Sequence, residues 1–125
     1  DSSTSRGLGD VYKRQVPGGA VKFGETAAEA AAREVREELK LNVVPQLVGI
    51  VESFWQQPEQ TYQQLIMVHR VTLTDAQKAG LVWQEGLEGE WLSFAKAARM
   101  LQPRSLAQFL TSGDAIRHLV DHHTE

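Results

Sequence analysis

The sequence predicts an α/β domain in which helices flank a mixed sheet. Three observations predict it: an apolar stripe at helical spacing over residues 26–39, two runs rich in β-branched and aromatic residues at 46–55 and 61–73, and helix-forming segments beyond residue 94. With 125 residues and 42% hydrophobic composition, the chain can bury the core of one domain but not of two ordinary ones.

Residues 5–15, SRGLGDVYKRQ, read as one frame of a translated transposon-tagging sequencing adapter. Residues 1–15 are therefore set aside as a non-native segment, and residues 16–125 are taken as the domain.

The first helix is signalled by Thr26-Ala27-Ala28-Glu29, a capping box in which the Thr26 hydroxyl accepts from the Glu29 amide and the Glu29 carboxylate accepts from the Thr26 amide. Ala28, Ala31, Ala32, Val35 and Leu39 recur at three- and four-residue intervals and form the face expected to meet the core. Glu34, Glu37 and Glu38 follow at i, i+3 and i+4, so three carboxylates share another edge.

Like charges at these spacings destabilise a helix unless something neutralises them. At an effective dielectric of 20, two carboxylates 4 Å apart repel by about 4 kcal/mol, which a divalent cation reverses. Hard oxygen ligands suit Mg²⁺ or Mn²⁺ better than zinc. An acidic helical edge is by itself also what a plain solvated surface looks like. Gly18 and Gly19 precede the helix, and glycines allow the backbone to approach a ligand, as helix N-termini favour anions.

Beyond the helix, QLVGIVESFW (46–55) and TYQQLIMVHRVTL (61–73) read as strands joined by a turn at Pro58. EWLSF (90–94) reads as a third short strand. Two closing helices are expected, one over 94–101 ended by Pro103, the other from Ser105, broken near Gly113 and continuing towards His122. His118 and His122 stand four residues apart with His123 adjacent, but no third zinc ligand is evident, so the segment reads as a polar, frayed terminus. Trp55, Trp83 and Trp91 read as core or rim packing.

Composition narrows the function classes. A net charge of −3 and a pI near 5.8 argue against the broad basic surface that neutralises duplex phosphates. The absence of cysteine removes disulfides, thiolate metal sites and cysteine nucleophiles, and fits a reducing cytoplasm. No run approaches the roughly 18 apolar residues of a membrane span, so a cytoplasmic protein with no membrane partner is expected.

Gly19, five residues, Glu25, seven residues, then Arg33-Glu34-Val35-Arg36-Glu37-Glu38-Leu39-Lys40-Leu41 resembles the Nudix box of Nudix hydrolases, here spanning residues 19–41. One defining position departs: Lys40 stands where the family has Gly, which normally allows a left-handed helix end. A Lys forced into that conformation costs about 1–3 kcal/mol, so Asn42 is expected to take over the stop. Lys22 also stands where many members carry a glutamate.

The resemblance implies an α/β/α sandwich around a mixed sheet, and, with residues 1–15 foreign, loss of the family's leading strands. It implies hydrolysis of a diphosphate bond in a nucleoside diphosphate linked to another group, with Mg²⁺ or Mn²⁺ held by Glu34, Glu37, Glu38 and the Gly19 carbonyl. Arg33 would orient the carboxylates, Glu25 would steady loop and helix, and Glu37 or Glu85 would accept the proton of the attacking water. VWQEGLEGEW (82–91) resembles the segment of mutator-type Nudix triphosphatases that supplies a glutamate to the metals or as base; Glu85 aligns with it, and Glu88 and Glu90 are alternatives. The implied partner is a small-molecule nucleotide, and a homodimer stays open. Two other readings stay open as well: a noncatalytic nucleotide sensor, and an inactive fragment of the enzyme with an exposed sheet edge.

Overall fold

In a computed structural model, the described residues are 16–101, 104–110, 113 and 115–124; the segment 1–15 set aside above, and Pro103, lie outside them. The first described element is helix α1, Ala27–Leu39, and Thr26 caps it as its sequence dictates, with both reciprocal bonds of the capping box formed. Its buried face is Ala30, Val35, Glu38 and Leu39, so the stripe is rotated from expectation: Ala28 is exposed and Ala30 takes its place. Val35, Leu39 and Leu41 form a small apolar cluster with Val43, Leu73, Leu81 and Trp83.

The helix ends at Lys40, not Asn42. Lys40 itself adopts the left-handed conformation at φ 58°, ψ 34°, and its amide donates to the Arg36 carbonyl. Its ammonium turns back to the Glu37 carbonyl at 2.8 Å, satisfying one of the carbonyls a helix end leaves free.

Strand β1, Gln46–Gln56, and strand β2, Thr61–Arg70, form an antiparallel hairpin closed by a reciprocal pair of bonds between Gln57 and Gln60, with Pro58 in the turn. A bulge between Leu47 and Gly49 explains why Val48 and Val51 are both fully buried although three residues apart: one inserted residue shifts the alternation of faces. Helix α2, Asp75–Ala79, follows, carrying its own capping box from Thr74 to Gln77 that the sequence reading passed over.

Residues 90–94 do not form a strand: 90–93 are irregular, after an isolated bridge at Gly89, and Phe94 already opens a helix. Helix α3, Phe94–Met100, is capped by Ser93. A 3₁₀ helix, Arg104–Phe109, comes next, and the expected last helix is instead strand β3, Arg117–Thr124. β3 pairs parallel with β1, giving, among the described residues, the order β2-β1-β3 in a mixed three-stranded sheet. A parallel pair needs a long crossover, which α2, α3 and the 3₁₀ helix supply.

That crossover covers one sheet face. Ala97, Leu101, Leu106 and Phe109 pack on Val48 and Val51, with Ile66, Val68 and Leu119 around them. The Phe109 ring lies against Gly49, where a Cβ would collide with the ring and with the Arg117 carbonyl. Ser105 ties the layer to β3 by donating from both its amide and its hydroxyl to Asp121, at 3.2 and 2.7 Å. The result is an α/β fold with a mixed sheet and helices.

Candidate functional site

The helix start and the loop before it are built as one unit, and Arg33 joins them. Its Nε and Nη2 donate as a fork to the two Glu25 oxygens at 2.7 and 3.1 Å, and Nη2 also donates to the Ala20 carbonyl at 3.0 Å. Glu25 in turn accepts from the Lys22 amide at 2.9 Å, while its own amide donates to the Lys22 carbonyl at 3.0 Å. A planar guanidinium suits this role because its donors diverge in a rigid fork. The Ala20 carbonyl and the Lys22 amide are parts of the site that sequence reasoning missed, because backbone atoms leave no residue-type signal.

The remaining donor, Nη1, faces the acidic edge. It lies 3.3 Å from Glu37 and 3.5 Å from Glu34, so one nitrogen stands between two of the three predicted carboxylates. Arg33 and Glu34 side chains are nearly buried at 12% and 16% exposure, whereas Glu37 is 47% exposed. Exposure thus separates Glu37 from Glu34 as the group open to solvent.

Glu34 also reaches back to the loop. Its carboxylate packs against Gly19 in the space a Cβ would occupy, so a side chain at this position would displace the Glu34 carboxylate. The Arg33 bonds, followed by the Lys22 amide, hold the Glu25 carboxyl below its ordinary value of 4.5. Bonding to Glu25 likewise holds the Arg33 guanidinium above its ordinary value, leaving it a permanent cation.

Glu38, the third predicted carboxylate, is buried at 5% exposure. Its carbonyl accepts from the Gln84 amide at 2.7 Å, and the Leu39 carbonyl accepts from the Val82 amide at 3.2 Å. These bonds satisfy the helix end and run the 82–84 segment alongside it. Glu85, the next residue, is therefore carried to the end of α1, at the turn where Gly86 has φ 87°; Glu85, Glu88 and Glu90 are all exposed. Trp83 supports this loop by packing its ring on Gly89.

Among the described residues, no three acidic or histidine side chains are gathered closely enough to enclose a metal ion. The donor kinds nonetheless suit a small hard dication: all are oxygens, and the Glu34 carboxylate already abuts the Gly19 backbone in a cradle that a Cβ would fill. In this arrangement Arg33 supplies the positive charge between Glu34 and Glu37.

The histidines lie elsewhere. His118 and His122 share a face of β3, where the spacing i, i+4 holds as it would on a helix. His118 bonds through Nε2 to Glu52 at 2.6 Å, and His122 stacks on Phe54 with centroids 4.9 Å apart. Trp91 is exposed, with the Lys78 ammonium 5.7 Å from its ring centroid.

Compared with known protein families, the chain matches the model of the NUDIX domain over residues 3–111. The matched span begins ahead of Val16 and includes the loop, α1, the hairpin and the crossover. No curated protein matches the chain closely enough to count as a relative. No helix among the described residues is long and apolar enough to cross a membrane.

Proposed function

Because the chain belongs to the NUDIX domain family, we propose that it is a divalent-cation-dependent pyrophosphohydrolase acting on a nucleoside diphosphate linked to another group. One observation carries this reading: a single arginine ties the glycine loop, through Glu25 and Ala20, to the acidic helical edge of Glu34 and Glu37. That unit brings the backbone of the glycine loop and the carboxylates of the acidic edge to one place.

In this reading Glu34, Glu37, Glu38 and the Gly19 carbonyl would hold Mg²⁺, with Mn²⁺ as the alternative. The ion would neutralise phosphate charge and acidify the attacking water. Arg33 sets the spacing between Glu34 and Glu37 and keeps the loop against the helix. Glu25, itself held ionised, orients Arg33. In this reading Glu37 is the preferred proton acceptor, because it is half exposed and on the acidic edge; Glu85, next to the Gln84 whose amide bonds the Glu38 carbonyl, is the alternative. Phosphoryl transfer needs mainly positioning and charge stabilisation, which suits a site built of ion pairs.

The test is phosphate or nucleotide release from a panel of nucleotide derivatives, with Mg²⁺, with Mn²⁺ and with chelator. Metal-dependent turnover that falls about a hundredfold or more in Glu37→Gln supports the reading. Tight nucleotide binding with no turnover at any metal concentration would overturn it in favour of a sensor.

A further inference from the structure

We propose that Lys22 and Phe23, at the tip of the loop between Gly19 and Glu25, contact the substrate: Phe23 packs on the nucleobase and Lys22 meets a phosphate. The inference rests on the reading above that the substrate is a nucleotide derivative.

Phe23 is fully exposed, at 108% of its reference area, and Val21 beside it is 50% exposed. A single exposed apolar side chain is ordinary on a protein surface. What sets this one apart is how firmly its backbone is held. The turn is closed in both directions between Lys22 and Glu25, Gly24 takes φ 89° to make it, and Arg33 grips the loop again at Ala20. The ring is therefore displayed from a braced loop.

Its place is also specific. Phe23 stands two residues from Glu25, which is gripped by Arg33, whose third nitrogen reaches Glu34 and Glu37. A nucleotide whose diphosphate lies against that edge carries its base a few ångströms beyond it, where a flat apolar group gains by covering a ring. Lys22, between Val21 and Phe23, is exposed, and its charge acts through space on the Glu25 carboxylate beside it. On a loop facing an anionic ligand, that cation matches phosphate charge in a way a carboxylate at the same position would not.

The discriminating experiment uses two ligand types on the full chain in the presence of Mg²⁺: the α,β-methylene diphosphates of four nucleosides, which resist cleavage, and methylenediphosphonate, which has no base. Calorimetric titration should show Phe23→Ala weakening the best-bound nucleotide analogue about tenfold while leaving methylenediphosphonate unchanged. Phe23→Tyr should restore nucleotide binding, and Lys22→Ala should weaken both ligands. Since Phe23 touches little, its variants should melt as the parent does. Equal nucleotide affinity in Phe23→Ala, a parallel loss for both ligands, or no nucleotide binding by the parent would overturn the inference. Metal-dependent cleavage, assayed on the same preparation, decides the functional reading separately: cleavage with unaltered Phe23→Ala binding removes only the inference.

Discussion

The Glu34 carboxylate of α1 lies against the backbone of Gly19, fifteen positions earlier in the chain, in the space that a side chain at Gly19 would take. The loop and the acidic edge of the helix thus define each other's position, and changes on either side are expected to be felt on the other.

Gly19→Ala places a methyl group inside the Glu34 carboxylate. Glu34 belongs to neither apolar cluster, so it can swing away with little loss of fold stability, but it then leaves the acidic edge. Metal-dependent turnover should fall about 10- to 100-fold, the range seen when metal-ligand positioning is disturbed, with a nearly unchanged melting midpoint. Turnover equal to the parent's would contradict the steric argument.

Arg33→Lys keeps the charge but loses the fork. A single ammonium cannot serve Glu25, Ala20, Glu34 and Glu37 together. Activity should drop by about tenfold or more, and the loop between Gly19 and Glu25 should become more sensitive to proteolysis. A Lys variant that matches the parent in both would show that charge alone suffices.

Acid sensitivity should track Glu25. Its carboxyl is held below 4.5 in the folded chain, first by Arg33 and then by the Lys22 amide. The folded state therefore binds fewer protons here than the unfolded state does. The contribution to stability is full above 4.5 and fades as pH falls through the depressed value. The difference in melting midpoint between the parent and Glu25→Gln should be largest at neutral pH and close as the solution is acidified below 4.5. A difference that grew on acidification would have the wrong sign.

Lys40→Gly should stabilise the chain. A non-glycine residue in the left-handed region costs about 1–3 kcal/mol, while glycine adds unfolded-chain entropy and forfeits the exposed bond from Lys40 to the Glu37 carbonyl. The net gain expected in urea denaturation is about 0.5–1 kcal/mol. A loss would mean that the ammonium bond matters more than the backbone strain.

Gly49→Ala should do the reverse. The added methyl meets the Phe109 ring and the Arg117 carbonyl, joining two of the groups that hold β3 and the 3₁₀ helix to β1. Overpacking of this kind costs about 1–3 kcal/mol, and equilibrium unfolding would register it as a lower midpoint with an unchanged slope.

The parts of the molecule legible in the sequence are those in which the interacting residues are close along the chain. The capping box of Thr26 and Glu29, the helical edge of Glu34, Glu37 and Glu38, and the Pro58 turn follow from spacings of two to four residues, where backbone geometry alone brings groups together. The fixed intervals from Gly19 to Leu41 added the family. Tertiary structure decided the rest. The segment 117–124 has no strong period of its own and becomes a strand because β1 offers an open edge and Asp121 meets Ser105. Lys40 accepts a left-handed backbone that its type disfavours, since the chain must turn there for Leu41 to reach the cluster with Val35 and Leu39. Which glutamate is buried, which is paired and which faces water likewise depended on Gly19, Arg33 and the 82–84 segment arriving from other parts of the chain. Pairings made across such distances are selected by the energy of the whole packed fold, which no local pattern encodes.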